Sequence, residues 1–193
     1  MSGGGVKRLI VGLSGASGAP LAVACLEELR RHPDWEVHLI VSRGAAETIR
    51  YETDRTLEEV KALAHVCHDM DAIGAGPASG TFRAQGMLIV PCSMKTIAGI
   101  HSGYADNLIL RAADVTVKEQ RILVLAARET PLSGIHLRNL YELSMLPGVR
   151  IIPPMLTFYH KPESIDDMVY HIAAKLLEPF GIEAKEYRRW NGL

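Results

Sequence analysis

The first residues with types and spacing suited to chemistry are the glycines and serines of segment 12–18, Gly-Leu-Ser-Gly-Ala-Ser-Gly. Glycines three positions apart leave backbone N–H groups accessible, and Ser14 and Ser17 add hydroxyls, so this turn can bind a phosphate or the polar edge of a ring. Leu13 holds the place of the second glycine of the dinucleotide fingerprint, and no Lys-Ser/Thr pair follows to form a P-loop. The alternative is a turn that serves only close packing of a strand against a helix.

A second group of small polar residues is the segment 91–96, Pro-Cys-Ser-Met-Lys-Thr, which follows another apolar run. It offers hydroxyl and amide donors, although the capping of a helix by Ser93 explains the same pattern equally well. A further apolar run ends at Ser42-Arg43 without the acidic residue that would hold the ribose of NAD. These segments therefore favour a bound anion or ring over a dinucleotide.

Charged residues occur later in mostly apolar stretches, where an unpaired charge is costly to bury. Arg111, Lys118, Arg128 and Glu129 either pair with one another or await an anion. For Lys118, which begins Lys-Glu-Gln-Arg, a solvated helix face is the simpler interpretation. The aromatic and basic segment 158–162, Phe-Tyr-His-Lys-Pro, is by itself typical of a turn.

Two other constellations are set aside. Metal-ligand residue types occur at His65, Cys67, His68 and Asp69, but no second cluster matches a zinc spacing. A Ser-His-Asp triad built on Ser93 lacks the G-x-S-x-G elbow. His136 and His160 are interpreted as structural or surface histidines.

Alternating strands and helices must position these residues. Five short apolar segments predict strands at 6–13, 36–42, 87–91, 121–127 and 149–152. Helical periodicity follows the first turn, with Ser17 as its cap and His32-Pro33 as its end, and recurs at 43–50, 57–64, 107–117, 133–146 and 164–180. Segment 67–83, rich in Gly, Ala, Asp and Ser, is predicted to be irregular. This order predicts an α/β fold, a parallel sheet with helices on both faces.

Ligands of an open parallel sheet collect beyond the carboxyl ends of its strands, where helix N-termini present free N–H groups. The polar strand ends described above are therefore expected to share one crevice. That crevice is the predicted functional site.

Bulk properties narrow the choice of partners and compartment. The 193 residues fit one domain, 1–193, and Lys+Arg 21 against Asp+Glu 22 gives a net charge of −1, so we expect no nucleic-acid or membrane partner. Three cysteines without a C-x-x-C pair suit a reducing compartment, and the cytoplasm is expected. The apolar run 9–13 is too short for a signal peptide or a membrane span, and 1–5 is taken as a frayed leader.

Seven collinear blocks resemble one known family. They are 15–19 (Gly-Ala-Ser-Gly-Ala), 78–80 (Ala-Ser-Gly), 91–96, 103–108 (Gly-Tyr-Ala-Asp-Asn-Leu), 111–115 (Arg-Ala-Ala-Asp-Val), 128–132 (Arg-Glu-Thr-Pro-Leu) and 158–160 (Phe-Tyr-His). In this order they resemble the UbiX/Pad-type flavin prenyltransferases over residues 7 to 182. The tail 188–193, Arg-Arg-Trp-Asn-Gly-Leu, is similar to the branch found as the small subunit of hydroxyaryl-acid decarboxylase systems.

The resemblance implies a Rossmann-like flavoprotein that binds FMN at subunit contacts of a homo-oligomer, typically a dodecamer. It implies metal-independent transfer of a dimethylallyl group from dimethylallyl (mono)phosphate to N5 and C6 of reduced FMN. The product, prenylated FMN, would serve a UbiD-type aromatic-acid decarboxylase.

The resemblance also assigns residues, position by position. The expected flavin ligands are Gly15, Ala16, Ser17, Ser42, Ser93, Met94, Thr96 and Arg111. The expected residues at the prenyl donor are Glu52, Ser79, Gly80, Lys118, Glu129, Tyr159 and Lys175. Glu129 is expected to transfer protons, Ser17 to hydrogen-bond the N5 region, and Lys118, with Tyr159 and Lys175, to stabilise the departing phosphate. The family commonly has arginine at the position of Lys175. The lysine keeps the positive charge but lacks the forked geometry of a guanidinium.

Two alternatives stay open at this point. One is a flavin-dependent cysteinyl decarboxylase, which segment 77–80, Pro-Ala-Ser-Gly, disfavours because it stops short of that group's P-A-S-A-N-T type block. The other is a non-catalytic subunit that binds or delivers FMN for a decarboxylase. The presence of Lys118, Glu129 and Tyr159 favours an enzyme.

Overall fold

The computed structural model describes residues 5–190 and 192, so residues 1–4 of the expected leader and positions 191 and 193 of the tail motif lie outside the described residues. The strands are β1 (Lys7–Leu13), β2 (Trp35–Val41), β3 (Val66–His68), β4 (Gly86–Cys92), β5 (Ile122–Ala127) and β6 (Val149–Ile151). The helices are α1 (Ala19–Arg30), α2 (Arg43–Glu52), α3 (Leu57–Lys61), α4 (Met94–His101), α5 (Leu108–Lys118), α6 (Gly134–Ser144) and α7 (Ile165–Leu177).

The strands form one sheet in the order β3-β2-β1-β4-β5-β6, and every neighbouring pair is parallel. This is the strand order of a Rossmann-type doubly wound sheet, in which the chain reverses its direction of travel between β1 and β4. The prediction of a Rossmann-like parallel sheet is confirmed. The reversal leaves a crevice between the turns that follow β1 and β4, since their helices leave toward opposite faces.

Helices cover both faces of this sheet. On β1, Leu9, Val11 and Leu13 point into one apolar core with α1, α2, α3 and α7, whereas Ile10 points into a second core with α4, α5 and α6. Strands buried on both faces explain the continuous apolar runs that identified them in the sequence.

One strand was missed from the sequence. Strand β3 lies partly inside the segment predicted to be irregular, and pairs with β2 at the edge of the sheet. Its three residues are too few to show a period. The strand is held in place by its contacts with β2, where His68 Nε2 lies 2.9 Å from Nδ1 of the buried His38. None of the helices within the described residues is long and apolar enough to cross a membrane.

Candidate functional site

A cleft of about 520 Å³ opens at the reversal point, beyond the carboxyl ends of β1, β2 and β4. Its volume is typical of a small-molecule site. Four of the predicted flavin ligands line it: Gly15, Ser42, Ser93 and Thr96. The remaining lining residues are Ser14, Arg43, Gly44, Met70, Asp71, Lys95, Asp106, Asn107, Ile109 and Leu110. The expectation that separate strand ends share a crevice is confirmed for β1, β2 and β4.

Three helix N-termini meet at this cleft, because Ser42, Ser93 and Asn107 are the N-caps of α2, α4 and α5. Each side chain accepts a hydrogen bond from the third N–H of its own helix, from Ala45, Thr96 and Leu110 respectively. Capping satisfies that N–H and leaves those of the first helical residues without helical partners. Three positive dipole ends therefore face one volume, which favours an anionic group.

Ser14 ties the two central turns together. Its side chain is buried, donates to the Pro91 carbonyl at 2.8 Å and accepts from the Ser93 N–H at 2.8 Å. The hydroxyl thus fixes the turn after β1 against the turn after β4, so the cleft walls are held in place before any ligand arrives. Ser14 was recognised as a donor of the turn but not as this bridge, since its partners lie 77 and 79 residues away.

Two glycines bring the turns after β1 and β2 together. A Cβ on Gly15 would lie 2.9 Å from Cα of Gly44, and a Cβ on Gly44 would lie 3.1 Å from Cα of Gly15. These contacts are backbone contacts, which no side-chain rotation can relieve. The glycine turn therefore serves close packing, as one of the two interpretations of the sequence predicted, and Gly15 also lines the cleft.

Glu52, not Ser17, caps α1. The N-cap is Gly18, with a positive φ of 125°, and no side-chain cap from the turn itself is present. The Glu52 carboxylate, at the end of α2, instead accepts from the N–H groups of Gly18 and Ala19 at 2.8 and 2.9 Å. The prediction that Ser17 caps the helix is wrong, because a carboxylate distant in sequence competes more strongly for N–H groups at a positive dipole end.

The environment of Glu52 favours its charged form. Burial raises the pKa of the Glu52 carboxyl, but the N–H groups of Gly18 and Ala19, the Ser17 hydroxyl and the charge of Arg128 outweigh burial, so the pKa lies below its ordinary value. The exposed Ser17 and Arg128, beyond β5, thus both favour the ionised carboxylate. This places an ionised carboxylate and a hydroxyl on the turn that leads into the cleft.

The remaining predicted flavin ligands do not line the cleft directly. Ala16 and Met94 are buried behind it. Arg111 lies one turn inside α5, where its guanidinium bonds Asp114 at 2.7 Å. Arg111 and Asp114 are each partly exposed, so this ion pair can exchange for another anion at small cost.

Lys118 lies at the opposite end of the strands, beside their amino ends. Helix α5 starts at the cleft and ends at Lys118, its eleventh residue, about 15 Å from its start. There Lys118 pairs with Glu119, and its Nζ would lie 2.9 Å from a Cβ built on Gly80. Arg121 donates to the Gly80 carbonyl at 2.7 Å and so holds the loop that contains Ser79 beside Lys118. Ser79, Gly80 and Lys118 form one group, which we call the amino-edge patch.

Tyr159 and Lys175 belong to a third group, joined by His171. The Tyr159 hydroxyl lies 3.0 Å from Nε2 of His171, and Lys175 follows His171 by one turn on the same face of α7. Lys175 Nζ donates to the Glu178 carboxylate, which also pairs with Arg189. We call Tyr159, His171, Lys175 and Glu178 the helix-7 patch.

Glu129 stands apart as an exposed side chain just beyond β5. One of its carboxylate oxygens accepts from the Thr130 N–H at 3.0 Å, and the neighbouring Arg128 acts on Glu52. The four charged residues singled out in the sequence thus do not pair with one another, contrary to one of the two possibilities that the sequence left open; they are Arg111, Lys118, Arg128 and Glu129. Within one chain, the other predicted residues fall on or near the cleft with its Glu52 border, the amino-edge patch and the helix-7 patch, and Glu129 belongs to none of these groups.

The histidines and cysteine set aside as metal ligands have other partners. His65 accepts from the Val37 N–H at 3.0 Å, Cys67 donates to the Lys61 carbonyl, and His68 bonds His38. Among the residues that the structure describes, no group of three or more His, Cys, Asp or Glu side chains is arranged as a metal site.

Comparisons with known proteins agree with this architecture. The model of the Flavoprotein family matches residues 4–177. A probable UbiX-like flavin prenyltransferase from Streptomyces sp. (strain D7) is 53% identical over 186 residues, which cover 96% of this chain and 92% of the relative. This chain belongs to the UbiX-like flavin prenyltransferase family.

Two solved structures of the family superpose closely. A dodecameric FMN-dependent UbiX-like decarboxylase from Escherichia coli O157:H7 has a TM-score of 0.94 and 51% identity, with 96% of this chain and 100% of that chain covered. AnUbiX (PadA1), solved in complex with FMN and dimethylallyl pyrophosphate, has a TM-score of 0.94 and 48% identity, with 97% and 98% covered.

Proposed function

We propose that this chain is a flavin prenyltransferase, which transfers a dimethylallyl group from a phosphorylated donor to N5 and C6 of reduced FMN. The observation that carries the proposal is the convergence of three capped helix N-termini and the Gly15 turn on one cleft at the reversal point of the sheet. Family membership supports the reaction, and the ligands of the AnUbiX complex support the two substrates.

The cleft fits FMN in chemistry and in size. Free N–H groups at the starts of α2, α4 and α5 suit its phosphate, and the hydroxyls of Ser42, Ser93 and Thr96 suit the polar edges of the molecule. Gly15 contributes backbone from the fourth side, while Ala16 and Met94 support the wall. Arg111 would exchange its Asp114 partner for a flavin carbonyl or phosphate.

The bound flavin supplies the nucleophilic ring atoms, and the protein supplies charge and proton transfer. Departure of the allylic phosphate concentrates negative charge on its oxygens, and Lys118, Lys175 and Tyr159 stabilise that charge without a metal. Ser79 adds a hydroxyl donor and Gly80 a backbone N–H donor. Closure of the new ring adds a proton to the allyl double bond and removes one from C6, and Glu129 serves as the proton-transfer group of this step. Ser17, whose hydroxyl helps to lower the pKa of Glu52, would hydrogen-bond the N5 region.

Completion of the site requires more than one copy of the chain. The cleft and the amino-edge patch lie at opposite ends of α5, so one chain does not bring Lys118 to a flavin in its own cleft. The dodecamer formed by the E. coli O157:H7 relative supports assembly into a homo-oligomer in which neighbouring chains supply the missing patch.

Large apolar side chains on the surface point to the same assembly. Isolated apolar residues are ordinary on a surface, but a group of them marks an interaction site. Exposed members on α6, at its C-cap and on the segment after β6 are Ile135, Leu137, Tyr141, Met145, Met155, Leu156 and Phe158.

The product requires a recipient, and we propose a UbiD-type aromatic-acid decarboxylase. We also propose that the chain forms one flavin-binding domain and works in the cytoplasm, in keeping with its three free cysteines, Cys25, Cys67 and Cys92.

The proposal is tested by anaerobic incubation with reduced FMN and, in separate arms, dimethylallyl phosphate or dimethylallyl pyrophosphate, followed by mass analysis of the released flavin. We expect a gain of one dimethylallyl unit with at least one donor. A flavin of unchanged mass in both arms would leave a non-catalytic FMN subunit. In a separate incubation with oxidised FMN and a cysteinyl peptide, loss of CO₂ from the peptide would establish the decarboxylase alternative. A Glu129→Gln variant that converts flavin as fast as wild type at every pH would remove the proton-transfer role.

A further inference from the structure

An aromatic cluster surrounds the phenol of Tyr159. Tyr159 contacts the rings of His160, His171 and Trp190 edge-on, at centroid distances of 5.6, 5.4 and 5.7 Å. His160 and His171 stack face to face at 4.0 Å, and Tyr187 lies 4.7 Å from His171. The phenol, which is 42% exposed, therefore lies between α7 on one side and the tail on the other.

Buried Glu28 sets the path of residues 185–190, the stretch that leads into the tail. Its carboxylate, 1% exposed, accepts from the Tyr170 hydroxyl at 3.1 Å and from the Lys185 N–H at 3.4 Å. The Tyr170 hydroxyl in turn accepts from the Glu186 N–H at 3.1 Å. Since α1, α7 and the tail are joined at this point, residues 187–190 are directed across the face of α7 that bears His171.

Further contacts fix the end of the tail. Arg188 donates to the His160 carbonyl at 3.4 Å, and Arg189 pairs with Glu178, the same carboxylate that Lys175 uses. A second cation thus lies next to Lys175, within the helix-7 patch. Because both cations share one carboxylate, the patch keeps positive charge available for an arriving phosphate.

We propose that His171 and the tail residue Trp190 are positioning residues that hold the Tyr159 phenol in place for the phosphate of the prenyl donor. The inference rests on the proposed function, and it adds to it a role for two residues outside the assigned site. His171 is buried and lies 3.0 Å from the phenol oxygen, and Trp190 packs against the phenol ring.

The phenol has one hydrogen, which decides what His171 must do. If Nε2 of His171 accepts that hydrogen, none is left for the phosphate. If Nε2 carries its own hydrogen and donates to the phenol oxygen, the phenol hydrogen is free to reach a phosphate oxygen. Burial, followed by the charges of His160 and Lys175, lowers the pKa of His171, so the ring is neutral near pH 7 and carries one N–H. Donor binding therefore selects the tautomer with hydrogen on Nε2.

The test measures binding of dimethylallyl phosphate by calorimetry to the full-length protein loaded with oxidised FMN, which permits binding without turnover. We expect His171→Leu to weaken donor binding about tenfold, because Tyr159 then loses the partner that holds its hydroxyl toward the charged phosphate, and to leave FMN affinity within about twofold. His171→Gln, whose amide can still donate, should recover most of the loss. In a Tyr159→Phe background, His171→Leu should add less than about twofold, since its partner is already absent.

Trp190→Ala tests the tail independently, because Trp190 is 55% exposed and its removal leaves the core intact. It should weaken donor binding several-fold, and Trp190→Phe should restore it. Equal losses in the Leu and Gln variants of His171, additive losses in the double variant, or parallel loss of FMN affinity would overturn the proposal. Failure of the proposed function is separate, because wild type would then neither bind the donor nor convert reduced FMN.

Discussion

The capping of α1 by Glu52 makes a prediction that requires no substrate. The substitution Glu52→Gln keeps a carbonyl oxygen near the N–H groups of Gly18 and Ala19 but removes the negative charge. A hydrogen bond to a charged acceptor contributes about 1.5–3 kcal/mol and one to a neutral acceptor about 1 kcal/mol. For two bonds at a partly exposed site, we expect the free energy of unfolding to fall by about 1–2 kcal/mol near neutral pH.

The pH dependence follows from the direction of the pKa shift. Although burial alone would raise the pKa of Glu52, its N–H donors, Ser17 and Arg128 hold it below the ordinary value of 4.5. A group with a depressed folded-state pKa stabilises the fold above its unfolded pKa and loses this effect as pH falls through the folded pKa. The difference between wild type and Glu52→Gln should therefore be largest near neutral pH and shrink below about pH 4.5.

The assay is urea unfolding followed by circular dichroism at about pH 7 and about pH 4, at one protein concentration because assembly affects apparent stability. Glu47→Gln is the matched control, since Glu47 lies on the same helix in an exposed pair with Arg50, and it should change stability by less than about 0.5 kcal/mol. Stabilisation of α1 by the ionised Glu52 is refuted if Glu52→Gln is no less stable than Glu47→Gln. It is also refuted if Glu52→Gln lowers the free energy of unfolding by the same amount at both pH values.

Three further predictions concern the cleft and the amino-edge patch. Gly15→Ala should weaken FMN binding at least about tenfold in calorimetry, because its Cβ would meet Gly44 backbone at 2.9 Å, whereas Gly74→Ala, with no atom within 4 Å, should bind normally. Ser93→Ala should cost about 1 kcal/mol in urea unfolding by removing the cap of α4, and a stability equal to wild type would contradict that capping role. Lys118→Gln should lower kcat at least about tenfold while FMN affinity stays unchanged, and an unaltered kcat would exclude Lys118 from the leaving-group site.

The sequence predicted the sheet better than its edge. Apolar runs that end in small polar residues identified five strands, and the alternation with helices predicted that they are parallel. Strand β3 has three residues and depends on the His38–His68 contact with β2, so no local pattern announced it. The spatial strand order likewise depends on which face each crossover helix covers, which periodicity alone does not determine.

The candidate site divides in the same way. The positions of Gly15, Ser42 and Ser93 at the cleft follow from a general property of parallel sheets and were predicted. The capping by Glu52 was not, since it joins residues 33 and 34 positions apart and competes with a plausible local cap at Ser17. The sequence did not indicate His171 as a site residue either, because its proposed role depends on contacts with Tyr159 and with the tail that only the fold brings together.

We propose that the cleft of one chain and the amino-edge patch of another form one prenyl-transfer site. It is tested most directly by co-expressing Gly15→Ala and Lys118→Gln chains and measuring, by mass, the dimethylallyl gain of reduced FMN. Each variant alone should convert little flavin, and the mixed oligomer should recover a clear fraction of wild-type conversion, because some of its sites combine an intact cleft with an intact Lys118. If the mixed oligomer assembles and binds FMN but converts no more flavin than either variant alone, the cleft and the amino-edge patch of different chains do not form one site.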